Sequence, residues 1–213
     1  MALTIYFLRH GQTPYSRENR FCGSGLDPDL TEDGAEMAEA FAAAYRDTPW
    51  RAIYTSPLKR AAATAFPLCS ALDLSPNICD DVREIGYGKW EGLSVDEVDR
   101  DYHDDYIRWS SDPAWNSPTG GETATMISRR GLRVAEEIKS RYSAGNVLVV
   151  SHKATIRIIL CGLLGIDAGR FRYRLACPVG SVSIVEFRAQ GPLLRALADV
   201  SHLSEKLRRL PGT

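Results

Sequence analysis

Cysteine and histidine are both scarce in this chain, with five and four residues among 213. The cysteines, Cys22, Cys69, Cys79, Cys161 and Cys177, form no Cys-x-x-Cys pair, and their number is odd. Neither a disulfide framework nor a structural zinc site organises such a chain, and free thiols in a reducing compartment are expected. No His-Glu-x-x-His occurs, and the Asp101–Asp105 run lacks the glycine and terminal glutamate of a calcium loop, so no metal or other cofactor is expected. Neither charge sign dominates: 26 basic residues face 27 acidic ones. A nucleic-acid partner would ask for a basic excess, so none is expected, and any anion site must be local. Long apolar runs are missing as well. The richest stretch, Val147 to Gly165, is broken by His152, Lys153 and Arg157, short of the ~18 uncharged residues of a membrane helix. The first eight residues carry neither a positive leader nor a small-residue cleavage site, so a cytoplasmic location is expected, with no membrane partner.

What is there reads as an ordinary globular chain, 44% hydrophobic and 25% charged, sized for a single domain over residues 1–213. Leu3–Leu8 is β-branched and aromatic and predicts a buried strand. Thr31 to Asp47 is alanine-rich, with Thr31 placed as N-cap and Glu32 and Asp33 in the first turn, which predicts a helix. Arg51–Thr55 predicts a second strand, Pro57 the first residue of the next helix, and Pro67 its end or a kink. Residues 93–119 are polar and aromatic, punctuated by Pro113 and Pro118, and predict a short helical and loop excursion over the active site. Helical periodicity returns over Glu122–Tyr142. Asn146–Ser151 predicts a parallel strand, Ala154–Leu164 a helix, and Ser181–Phe187 and Leu193–Ala198 two last strands. Alternating strands and helices predict an α/β fold, a three-layer αβα sandwich with a mostly parallel central sheet.

Three strand ends deliver chemistry-bearing residues into the following loop: Arg9-His10-Gly11-Gln12-Thr13, Ser56-Pro57-Leu58-Lys59-Arg60, and Ser151-His152-Lys153. Ligands of parallel sheets bind beyond the carboxyl ends of the strands, so these groups are expected to converge. Two arginines, two histidines and a helix N-terminus make a pocket for an anion, and phosphate fits that demand.

In these residues the chain resembles the histidine phosphatase superfamily, the phosphoglycerate mutase-like clan. The resemblance rests on Arg9-His10-Gly11-Gln12-Thr13 with Leu30-Thr31-Glu32-Asp33-Gly34, on Thr55-Ser56-Pro57-Leu58-Lys59-Arg60-Ala61, and on Arg83-Glu84-Ile85-Gly86-Tyr87-Gly88-Lys89-Trp90-Glu91-Gly92. Pro118-Thr119-Gly120-Gly121-Glu122-Thr123 and Val149-Val150-Ser151-His152 complete it, in family order from about residue 4 to 202. It implies that His10 is the nucleophile of a phosphohistidine intermediate. It also implies that Arg9, Arg60 and His152 clamp the phosphoryl oxygens and that Glu84, partly buried, is the proton donor. No metal or cofactor is implied. The resemblance implies a small phosphomonoester as substrate and phosphate as product.

The sequence departs from the family in places. Ser16 stands six residues after the nucleophile, where family members carry a phosphate-binding asparagine, with Asn19 nearby. Lys153-Ala154 replaces the small residues that follow the second histidine, where backbone N–H groups at the helix start remain as donors. Phe21, Cys22, Gly23, Tyr87 and Lys153 are the expected substrate contacts, with Arg108 and Trp109 of the excursion. His103 reads as a surface residue and His202 as structural. The mutase branch of the clan carries a long insertion before its Gly-Gly-Glu motif, and the short excursion here favours hydrolysis. A cofactor-dependent phosphoglycerate mutase and a non-catalytic phospholigand-binding module remain the alternatives, and the oligomeric state, monomer or homodimer, is open.

Overall fold

The computed structural model describes residues 2–212. Its strands are β1 (Leu3–Arg9), β2 (Trp50–Thr55), β3 (Asn77–Ile78), β4 (Gly145–Ser151), β5 (Val182–Arg188) and β6 (Gly191–Asp199). They form one sheet in the order β3-β2-β4-β1-β5-β6. The first four run parallel, and β5 and β6 add an antiparallel hairpin. The two-residue β3, with both residues exposed, is too short to give a sequence signal.

Two helical layers cover the sheet because its strands are apolar on both faces. Helices α1 (Pro14–Arg17), α2 (Glu32–Tyr45) and α3 (Lys59–Leu72) precede the excursion, which supplies α4 (Val95–Asp101) and α5 (His103–Ser111). After it come α6 (Ala124–Arg141), α7 (Lys153–Leu164), α8 (Phe171–Arg174) and α9 (Glu205–Arg208). The period of two is visible in the packing. Ile5, Phe7, Val147 and Val149 pack with Ile127 and Ile138 of α6 and Ile156 and Ile159 of α7. Their neighbours Leu8, Leu148 and Val150, with Ile53, pack instead on Phe41 of α2 and Leu68 of α3. The architecture is the three-layer α/β sandwich that the sequence predicts.

Two boundaries differ from expectation. Thr31 caps α2 as anticipated, accepting from Gly34 N, but α3 begins at Lys59 rather than Pro57 and runs through Pro67 to Leu72. Burial of Leu68 and Cys69 against the sheet offsets a proline penalty of about 3 kcal/mol. The helix ends instead at Asp73, in the left-handed region at φ 51°. Val98 and Trp109 of the excursion bury themselves with Trp90 in a small core, with Phe21, Tyr87 and Tyr106 against it. Trp115, by contrast, is 75% exposed.

The loop after β1 is pinned to the start of α2 by backbone contact. A Cβ on Gly11 would lie 2.2 Å from the Gly34 carbonyl oxygen, and one on Gly34 would lie 2.1 Å from that of Gln12. Neither obstacle is a side chain that can swing away. Gly34→Ala is therefore expected to destabilise the protein by about 1–3 kcal/mol, against the small gain usual for Gly→Ala in a helix. Urea unfolding measures the difference, and an unchanged midpoint would show that the two backbones can separate.

Candidate active site

The parallel register of β1 on β4 pairs Arg9 with Ser151, so the next residues, His10 and His152, leave the sheet side by side. His10 N donates to Ser151 O at 3.0 Å and Ser56 N to Val150 O at 3.1 Å, which extends the ladder by one rung into each loop. The two imidazole centroids lie 5.1 Å apart. Arg60 arrives from α3 beyond β2, fully buried.

His10 is held in one tautomer. Its Nδ1 lies 2.7 Å from the Gly11 carbonyl oxygen, which can only accept, so Nδ1 carries the proton and Nε2 keeps its lone pair. Burial, then the positive charges of Arg60 and Arg9, keep this histidine well below the usual range and therefore neutral. His152 is neutral for the same reasons, burial first and Arg60 next. Its Nε2 lies 2.8 Å from Ser56 Oγ, and that oxygen already accepts from Leu58 N at 3.2 Å. The serine proton is thus available to Nε2, which we assign as the acceptor, leaving the proton on Nδ1. That Nδ1 is buried without a partner.

The arginines are fixed by carbonyls. Arg9 Nη1 donates to Cys177 O and to Gly212 O, each at 2.6 Å, while its Nε is buried with no partner. Burial lowers Arg9 to about 10, so it stays cationic at neutral pH. Arg60 donates to Leu26 O at 2.8 Å and to Gly23 O at 3.0 Å, with Asp27 at 3.7 Å. Gly23 thus enters the site through its carbonyl.

Glu84, buried, sits over the N-terminus of α7. Oε1 accepts from Ile85 N, Thr155 N and Thr155 Oγ1 at 3.0 to 3.1 Å, and Oε2 accepts only from Ala154 N at 3.2 Å. Two of the helix-start N–H groups expected to remain as donors, those of Ala154 and Thr155, therefore serve this carboxyl. Oε2 is the less committed oxygen.

Arg9, His10, Ser16, Phe21, Cys22, Glu84, Tyr87 and Lys153 all line one cavity of about 190 Å³. Burial pushes the Cys22 thiol up to about 11, so it offers no competing nucleophile. Ser16 lies on the wall, but its hydroxyl donates to Thr13 O at 3.0 Å within the α1 cap. Trp109 lines the cavity; Arg108 does not and pairs with Asp105 on the outer side of α5. His103 pairs with Asp99 at the surface, and His202 packs edge-on to Phe41 and Tyr45. The sequence reading missed Arg157, Arg172 and Gly212 on the wall. Only Arg157 left a signal, four residues after Lys153 on the same helix face.

Two buried neutral histidines make stability fall with acid. Their folded-state values lie below the ordinary 6.5, so the unfolded chain binds the extra protons, and the contribution present above 6.5 is lost as pH drops below it. Between about pH 7 and pH 5 the unfolding free energy should fall by up to about 1.4 kcal/mol per unit for each histidine. His152→Asn should flatten that slope, as followed by denaturant melts at each pH; equal slopes would place the protons elsewhere.

The profile of the histidine phosphatase superfamily (branch 1) matches residues 5–200. Phosphoserine phosphatase 1 of Hydrogenobacter thermophilus is 32% identical over 201 residues, 94% of each chain. Glucosyl-3-phosphoglycerate phosphatase of Mycolicibacterium vanbaalenii is 32% identical over 169 residues, 76% of this chain and 74% of that one. A bifunctional protein of Mycobacterium tuberculosis is 38% identical over 190 residues, 88% of this chain but 51% of its own length. Among solved structures, YhfR of Bacillus stearothermophilus superposes with a TM-score of 0.87 at 27% identity, over 95% of this chain and all of that one. By this match over nearly the whole chain, the protein is a member of the histidine phosphatase superfamily, a phosphomonoester hydrolase among relatives named for small phosphorylated metabolites.

Proposed function

We propose that the chain hydrolyses a small phosphomonoester in two displacements at His10, with no metal ion required, as a cytoplasmic enzyme built as one domain over residues 1–213. The observation that carries this is the His10–Gly11 contact of 2.7 Å, which fixes the proton on Nδ1 and points the Nε2 lone pair at the cavity. In the first step Nε2 attacks phosphorus in line, the P–O bond to the leaving group breaks, and Glu84, protonated at Oε2, gives that proton to the departing oxygen. In the second, a water attacks the phosphohistidine and surrenders a proton to Glu84. The P–N bond breaks, and inorganic phosphate leaves with Glu84 ready for another turn.

Charge on the transferring group falls to Arg9, Arg60 and His152. Two fixed guanidinium ions match a phosphate dianion, which supports the metal-free reading. The orphaned Arg9 Nε and His152 Nδ1 supply donors that protein atoms leave unused. A buried donor without a partner costs about 1–3 kcal/mol, and a phosphoryl oxygen would remove that cost. The five unpaired thiols support the cytoplasmic location. Among the described residues, no helix is long and apolar enough to cross a membrane.

Phosphate release from a panel of phosphomonoesters, with chelator present and 3-phosphoglycerate isomerisation followed in parallel, tests the whole reading. Chelator-resistant release is expected; isomerisation with little release would make the chain a mutase, and silence in both assays a binding module. His10→Ala should abolish turnover while calorimetry still detects phosphate, and retained activity would remove His10 as nucleophile. Glu84→Gln should lower kcat/KM on an alkyl phosphate by about 10²–10⁴ and on p-nitrophenyl phosphate far less, because nitrophenolate leaves without a proton. Equal losses on both would contradict the acid role.

A further inference from the structure

The cavity holds more positive charge than a phosphate needs. Beyond Arg9, its wall carries Lys153, Arg157 and Arg172, and among the described residues none of these three pairs with a carboxylate. Arg20, also on the wall, is already matched by Glu18 and Glu97. Glu84, the one carboxylate of the wall, is taken up by its four donors.

Arg157 and Arg172 are held in place without being neutralised, and Lys153 lies on the same wall. Arg157 is 9% exposed; its Nε donates to Lys153 O at 3.2 Å and its Nη1 to Arg172 O at 3.5 Å, with the guanidinium 5.0 Å over the Phe171 ring. Arg172 stacks on Trp109 at 4.0 Å and donates to Ser110 Oγ at 3.4 Å, so α5 of the excursion fixes it. Lys153, at the first position of α7, is crowded enough that burial, then Arg9 and Arg157, push it down to about 7. Like charges gathered in a poorly hydrated wall are costly, and an anion placed among them removes the cost.

We propose that Lys153, Arg157 and Arg172 form a second anion subsite that receives a carboxylate on the leaving group, so that the substrate is a phosphorylated hydroxy acid or amino acid. This rests on the phosphatase reading for its catalytic meaning. The subsite adjoins the phosphate clamp, since Lys153 follows His152 directly, so the carboxylate and the phosphoester sit within a few bonds of each other. A compact cavity of about 190 Å³ suits such a molecule. A planar carboxylate also matches the guanidinium forks better than a hydroxyl does.

The test is calorimetric binding to the His10→Ala protein, which needs no turnover, of two ligand pairs that differ by one carboxylate. These are 3-phosphoglycerate against glycerol 3-phosphate, and O-phosphoserine against O-phosphoethanolamine. The carboxylate member of each pair should bind at least about tenfold tighter. Adding Lys153→Met or Arg172→Met should collapse that ratio to below about threefold, while Arg172→Lys should retain part of it. A ratio near one in the parent, or an unchanged ratio in both Met variants, would overturn the proposal. So would tighter binding of propane-1,3-diol bisphosphate than of 3-phosphoglycerate, which would give the subsite to a second phosphate. Phosphate release by the unmutated protein is read separately. Release without a carboxylate preference sinks the subsite alone, whereas a carboxylate preference in binding with no release sinks the phosphatase reading alone.

Discussion

The register of β1 against β4 is the constraint on which the site depends. Seven consecutive pairs, from Leu3 on Gly145 to Arg9 on Ser151, bring the two strands to a common end. A slip of one residue would turn Ile5 and Phe7 from one helical layer to the other and leave His10 and His152 out of step. The slip is opposed by every buried contact on both faces, so the separation of the two imidazoles is set by the hydrophobic core and not by any attraction between them. The Gly11–Gly34 contact performs the same service one residue on, fixing the loop where His10 turns out of the sheet.

Electrostatics then divides the labour among similar groups. Two histidines are kept uncharged by burial and by neighbouring arginines. The dipole of α7 is spent on Glu84 through Thr155 and Ala154. This differs from the common use of a helix start as an anion cradle, and it frees the first residue of α7 to be a lysine.

The architecture was legible because each buried strand is a short β-branched run, and the site because its chemistry stands directly after those runs. His10, Arg60 and His152 could be placed together on that ground alone, and Glu84 through the motif that carries it. The rest depends on tertiary contact. Arg172 lies in a four-residue helix with no periodicity to read, and only its stacking on Trp109 brings it to the cavity. Pro67 misled because the helix penalty is local whereas the burial that outweighs it is not. Ser16 and Arg108 point the same way: both have the right chemistry for a ligand, and both are claimed by a nearer partner, Thr13 and Asp105.

The carbonyls that hold Arg9 come from Cys177 and Gly212, 168 and 203 residues further along the chain. The guanidinium beside His10 therefore gains its seat only when two stretches of backbone far along the chain have docked against the end of the first strand, so the aim of this cation reports on long-range closure of the fold and not on local structure.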